Sequence, residues 1–194
     1  MAAPQLFGFI GGPTGLWVVD QQTTVVGENL PKVAALDIVA SPPALPAPND
    51  GGWILRGTTS NARYVTRFEH NRLTAAQELP GRPEATRGVL IPIRKSSTWW
   101  TMTQDERRTI FEERSQHVAA SMKYLPAIAR RLHHSRDLGE PFDFLTWFEY
   151  APKFERDFNE LLAMLRASEE WAFVDREIDI RLTRSVPAEA TRPS

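Results

Sequence analysis

The stretch Phe142-Asp-Phe-Leu-Thr-Trp-Phe-Glu-Tyr-Ala-Pro-Lys-Phe-Glu-Arg-Asp-Phe-Asn-Glu-Leu-Leu-Ala-Met-Leu165 changes its period partway along. Residues 142–150 are dense in aromatic and β-branched side chains, which suit a pleated surface, and predict a strand. From Phe154 onward the apolar positions fall at Phe158, Leu161, Leu162 and Leu165, the i, i+4, i+7, i+8, i+11 spacing of an amphipathic helix. Trp171 to Leu182 then alternates, Phe173, Asp175 and Glu177 against Ile178, Ile180 and Leu182, and predicts a last strand.

Upstream, Gly88-Val-Leu-Ile-Pro-Ile93 reads as a strand leading to Lys95 and the Trp99-Trp100 pair. Thr103-Gln-Asp-Glu106 is a capping-box pattern and predicts a helix running through Ile110, Phe111 and His117. Pro126 should end or bend that helix, since proline lacks the N–H the next turn needs. With a strand beginning near Arg130, the order from about residue 86 to 183 is β-α-β-β-α-β, the split βαβ of ferredoxin-like modules. The expected class is α+β, with a complete C-terminal module over 86–184 and a tail over 185–194.

The first half is written in short β-like runs at Leu6–Ile10, Leu16–Val19, Val33–Ala40, Trp53–Leu55 and Arg63–Thr66. The segment 41–52, with four prolines and an Asn-Asp-Gly-Gly end, reads as a loop and spacer. Gly11-Gly-Pro-Thr-Gly15 reads as a turn, because no helix pattern opens after it to cradle a phosphate.

Composition narrows the chemistry. The 194 residues carry a net charge of −1 with acids and bases interspersed, which argues against a nucleic-acid binder with its basic stripe. The absence of cysteine excludes disulfides, thiolate metal sites, iron–sulfur clusters and covalently attached c-type haem, but not haem held by histidine. Met1 to Pro31 holds no Lys or Arg, and no apolar run approaches a membrane span, so the chain is expected to be cytoplasmic.

Of the four histidines, His70 follows Phe68-Glu69 in a polar connection and reads as a solvated surface residue. His133 and His134, adjacent in a strand, would face opposite ways and could not chelate one metal. His117 lies one heptad after Ile110 with Ala120, Ser121 and Tyr124 beside it, leaving room for something flat. Taken alone, that pattern is more often a hydrogen-bonded core histidine than a ligand. Arg130 and Arg131, equally, read on their own as surface charges.

Several stretches together resemble the chlorite dismutase family, and its short, dimeric branch in particular. They are Leu55-Arg-Gly-Thr-Thr-Ser-Asn-Ala-Arg-Tyr64, Ile91-Pro-Ile-Arg-Lys95 followed by Trp99-Trp100, and Glu113-Arg-Ser-Gln-His117 with Tyr124-Leu-Pro126. Arg130-Arg-Leu-His-His-Ser135, Phe142 to Glu149, Glu169-Glu-Trp171 and Asp175 to Leu182 complete the set.

The resemblance implies a dimeric α+β barrel whose residues 1–85 form a shortened N-terminal ferredoxin-like module. It also implies a non-covalent haem b whose iron is held by His117, with Arg130 on the opposite, substrate face beside Gln77. Glu170, or its neighbour Glu169, is the implied carboxylate partner of His117, with Lys95 in the same network. Asn61, Tyr64 and Trp99 match residues that hold the haem propionates.

The implied activity is conversion of chlorite to chloride and dioxygen with O–O bond formation at the iron, by a homodimer that binds neither nucleic acid nor membrane. The related coproheme decarboxylases need a tyrosine where this chain has Ile91, a position that borders the cofactor. The same residues also admit a haem-binding protein without turnover, or a haem-free ferredoxin-like dimer.

Overall fold

The structure is a computed structural model that describes residues 4–40, 51–59 and 64–185. Asn61, most of the proline-rich segment and Arg63 lie outside the described residues. Eight strands are found among those described: β1 Leu6–Gly12, β2 Trp17–Val26, β3 Ala35–Ala40, β4 Trp53–Thr59, β5 Arg87–Lys95, β6 Ile128–His134, β7 Phe144–Tyr150 and β8 Val174–Arg184. They close into an antiparallel barrel in the order β1-β3-β2-β8-β5-β7-β6-β4.

Both halves of the chain lay down their strands by one rule. The second half runs β8-β5-β7-β6 and the first β4-β1-β3-β2, in each case fourth, first, third, second. In the second half the connections are helical: α2 Ser97–Thr101, α3 Gln104–Arg108 and α4 His117–Ser121 join β5 to β6, and α5 Glu155–Arg166 joins β7 to β8. In the first half residues 13–16 alone carry the chain from β1 across β3 to β2. Gly15 makes that crossing, where a Cβ would stand 2.7 Å from the backbone carbonyl of Leu36.

Residue parity separates two cores, because successive strand side chains face opposite ways. Leu90, Leu145, Trp147, Ile178 and Ile180 fill the barrel together with Phe7, Phe9, Trp17 and Leu36 from the first half. Val89, Ile91, Ile93, Ile128 and Phe148 point outward and are covered by Phe158, Leu161, Leu162 and Leu165 of α5. Each such side chain contributes about 1.5–3 kcal/mol on burial. Strand β5 serves both cores, which is why it reads as a continuous apolar run.

Three sequence expectations need correction. The predicted strand at 63–66 is absent over its described residues: Tyr64 has φ 65° and Thr66 caps helix α1, Arg67–Ala76. The predicted continuous helix to His117 is broken: α3 passes into a π-helical turn at Thr109–Arg114, and Gln116, at φ 51°, ends it. The last strand begins at Val174, after a 3₁₀ turn at Glu169–Phe173. Within that strand Glu177 is fully buried and held by Arg166 and by Trp171 Nε1, whereas Asp175 is exposed.

Candidate functional site

A cavity of about 250 Å³ opens on the outer face of β5, β6 and β7, roofed by α1, α4 and α5. That is many times the ~30 Å³ share of a water molecule in the liquid, and most of its wall is apolar. The even-numbered residues of β6 line it, Ile128, Arg130, Leu132 and His134, while the odd-numbered ones turn into the barrel. His133 therefore points away from His134. It packs edge-on against Phe7 and Phe9, bonds the Leu145 carbonyl through Nδ1, and burial pushes its pKa down to about 4. Arg131, on the same inward face, lies over the Phe7 ring.

His117 reaches the cavity because of the break before it. Glu112 supplies the cap that α4 lacks at Gln116, its carboxylate accepting from the amides of Val118 at 2.6 Å and Ala119 at 3.1 Å. An acid at a helix N-terminus also complements the helix dipole. The π-helical turn thus re-aims the chain, and the His117 ring stacks on Phe111 at 4.4 Å.

Nδ1 of His117 lies 2.7 Å from Oε2 of Glu170. Burial alone would raise the Glu170 pKa, but Lys95 at 2.8 Å and His117 outweigh it and hold the carboxyl at about 2. An ionised carboxylate can only accept, so Nδ1 carries a proton and Nε2 is the ring nitrogen left to meet a ligand. Among the described residues Nε2 has no hydrogen-bond partner, and the ring lines the cavity. Glu169, by contrast, is half exposed and pairs with Arg114.

Lys95 is buried between Trp99 and Trp171, its ammonium 4.7 Å and 5.5 Å from the ring centroids. Trp99 is 1 % exposed and meets Tyr64 edge-on. Ile91, equally buried, contributes an apolar wall.

Arg130 presents a guanidinium with no ion pair or hydrogen bond among the described residues, though burial pulls its pKa down. A guanidinium remains charged regardless, so an unpaired cation faces the cavity. Its backbone carbonyl accepts from Nε2 of Gln77, which ends α1.

The residues expected from the sequence, Tyr64, Gln77, Ile91, Lys95, Trp99, His117, Arg130 and Glu170, thus line one cavity. His70 was expected to be solvated and is not: it is half-buried on α1 and lines the same wall. The capping box Thr66-Arg-Phe-Glu69 is the local signal that could have found that helix.

Tyr64 Oη, Trp99 Nε1 and His70 Nδ1 are buried, border the cavity and have no hydrogen-bond partner among the described residues. Buried polar groups are almost always hydrogen-bonded, so such orphans point to a bound group. The arrangement fits a flat apolar group that offers a metal to Nε2 of His117 and acceptors to these donors.

The chlorite dismutase family model matches residues 49–186. The crystal structure of dimeric chlorite dismutase from Nitrobacter winogradskyi is 56% identical, with TM-score 0.85, covering 92% of this chain and 99% of that one. A chlorite dismutase variant from Candidatus Nitrospira defluvii bound to cyanide shares the fold at 19% identity and TM-score 0.65, covering 93% and 91%. The same organism's enzyme with imidazole aligns at 17% and 0.60, covering 92% and 91%. The chain belongs to the chlorite dismutase family, and it is an enzyme of that family.

Proposed function

We propose that the cavity holds haem b and that the protein converts chlorite to chloride and dioxygen. The observation that carries this reading is the His117–Glu170–Lys95 relay beside a cavity lined by an arginine that is unpaired among the described residues. His117 Nε2 would bind the iron, and Glu170 would orient the ring and raise its basicity, as outer-shell carboxylates do for ligating histidines. When bound, haem supplies the oxygen-transfer and O–O bond-forming chemistry. The chain's own part is to bind, orient and confine.

Arg130 would draw the chlorite anion into the cavity and hold anionic species there. With no carboxylate partner among the described residues, its charge is available to an anion. Gln77 would fix the Arg130 backbone from which that side chain projects. The apolar wall of Ile91, Leu132 and Phe148 would limit competing water.

The two-half barrel is proposed to be a pair of ferredoxin-like modules, the first shortened, and the assembly a homodimer, as for the dimeric Nitrobacter winogradskyi relative. No helix of the described residues is long and apolar enough to cross a membrane.

An oxygen electrode tests the activity. Haem-loaded protein should release one dioxygen per chlorite consumed, and the haem-free protein none; haem-loaded protein that leaves chlorite intact would overturn the reading.

A further inference from the structure

We propose that His70 is a third hydrogen-bond donor to the carboxylate edge of the bound porphyrin, beside Tyr64 and Trp99. The proposal rests on the haem reading of the cavity and adds to it a residue on a helix that reading leaves without a role at this end.

Helix α1 spans the cavity rather than packing into the protein, and none of its residues is fully buried. His70, Leu73, Thr74 and Gln77 follow the i, i+3, i+4, i+7 spacing and form one cavity-facing stripe. The ends of that stripe are tied to different places. Gln77 is bonded to the Arg130 carbonyl, at the end assigned to chlorite.

The other end is tied at Glu69, whose carboxylate makes two 2.7 Å bonds to Arg108. The same guanidinium donates to the carbonyl of Tyr64, and Tyr64 in turn meets Trp99. His70 is next to Glu69, so it belongs to the Tyr64–Trp99 end. Seven residues of helix put about 10 Å between it and Gln77.

At that end the electrostatics favour an anion. Glu170 is the one acid among the described lining residues, and Lys95 already compensates it. Arg107, nine-tenths buried and without an ion-pair partner among the described residues, lies over the Tyr64 ring at 5.7 Å. Nδ1 of His70, Oη of Tyr64 and Nε1 of Trp99 are all buried, without partners among the described residues, and able to donate. Three idle donors in a corner where Arg107 is unpaired among the described residues and the nearby acid, Glu69, is already paired with Arg108 match a group carrying carboxylates. The free edge of a porphyrin held at His117 is such a group.

The test separates the carboxylate contact from the rest of the porphyrin. Haem-free wild type, His70→Ala and His70→Phe are each titrated with ferric haem and with its dimethyl ester, and affinity is read from the Soret band. A hydrogen bond to a charged group supports a loss of about tenfold for haem in both variants. The same variants should bind the ester within about twofold of wild type. Equal weakening toward both ligands, or no weakening toward haem, would overturn the role of His70 while leaving the haem site standing. A wild-type spectrum with two histidine ligands, lost in both variants, would make His70 an iron ligand and overturn it too. Failure of the wild type to take up haem at all would overturn the reading beneath it.

Discussion

A single carboxylate, that of Glu170, ties the imidazole of His117 at 2.7 Å to the buried ammonium of Lys95 at 2.8 Å. Removing it does two things. The His117 ring loses the acceptor that fixes its tautomer, and Lys95, 5 % exposed, is left without its counter-charge.

Glu170→Ala should therefore weaken haem binding by ~10–100-fold and destabilise the fold by ~3–5 kcal/mol, the usual consequence of orphaning a buried charge. Glu169→Ala, which frees only an exposed pair with Arg114, should change stability by less than about 1 kcal/mol. The effect also has a pH signature. The Glu170 pKa falls from an ordinary 4.5 to about 2 in the folded protein, so its contribution is complete above 4.5 and fades as pH drops toward 2. Denaturant unfolding of wild type and Glu170→Gln should give a stability gap that is flat from pH 5 to 7 and narrows below about 4. A gap unchanged at pH 3 would contradict the assignment.

Arg130 makes no side-chain bond within the described protein, so its loss should leave haem binding intact. Arg130→Ala should lower chlorite turnover by about a hundredfold if the guanidinium acts in the limiting step, as a lost charged donor often does. It should also consume a hypochlorite trap and bleach after fewer turnovers. Arg130→Lys should recover part of the rate, since charge survives without the planar fork. Wild-type rate, trap consumption and lifetime in Arg130→Ala would remove Arg130 from the substrate face.

Ile91 is 1 % exposed and lines the cavity with a side chain that holds no oxidisable hydroxyl. Iron coproporphyrin with peroxide should therefore keep its propionates in this protein. Mass spectrometry showing stoichiometric decarboxylation would favour the coproheme decarboxylase reading instead.

How much of this is legible in the sequence depends on whether a pattern is local. The α5 stripe from Phe158 to Leu165 and the capping box at Thr103 are local: α5 lies where the sequence puts it, and α3 starts where the box puts it but ends at Arg108. The break at Gln116 is not local in that sense. It rests on Glu112 folding back to cap α4, a tertiary choice that no period reveals. The pairing of His117 with Glu170, separated by 53 residues, comes into view through family resemblance, because spacing alone does not choose between two adjacent glutamates. Structure separates them physically: one is buried beside Lys95, the other exposed beside Arg114. His70 escapes a sequence reading because a histidine after Phe68-Glu69 looks solvated until the helix that carries it is recognised.

Binding of the iron by His117 Nε2 is the central claim, and chemical rescue tests it most directly. Resonance Raman of the ferrous haem complex should show an iron–histidine stretch in wild type. His117→Gly should lack it and regain an iron–imidazole stretch when imidazole is added to the emptied space. A His117→Gly protein that keeps an unshifted stretch and an unchanged Soret band without imidazole would contradict that claim.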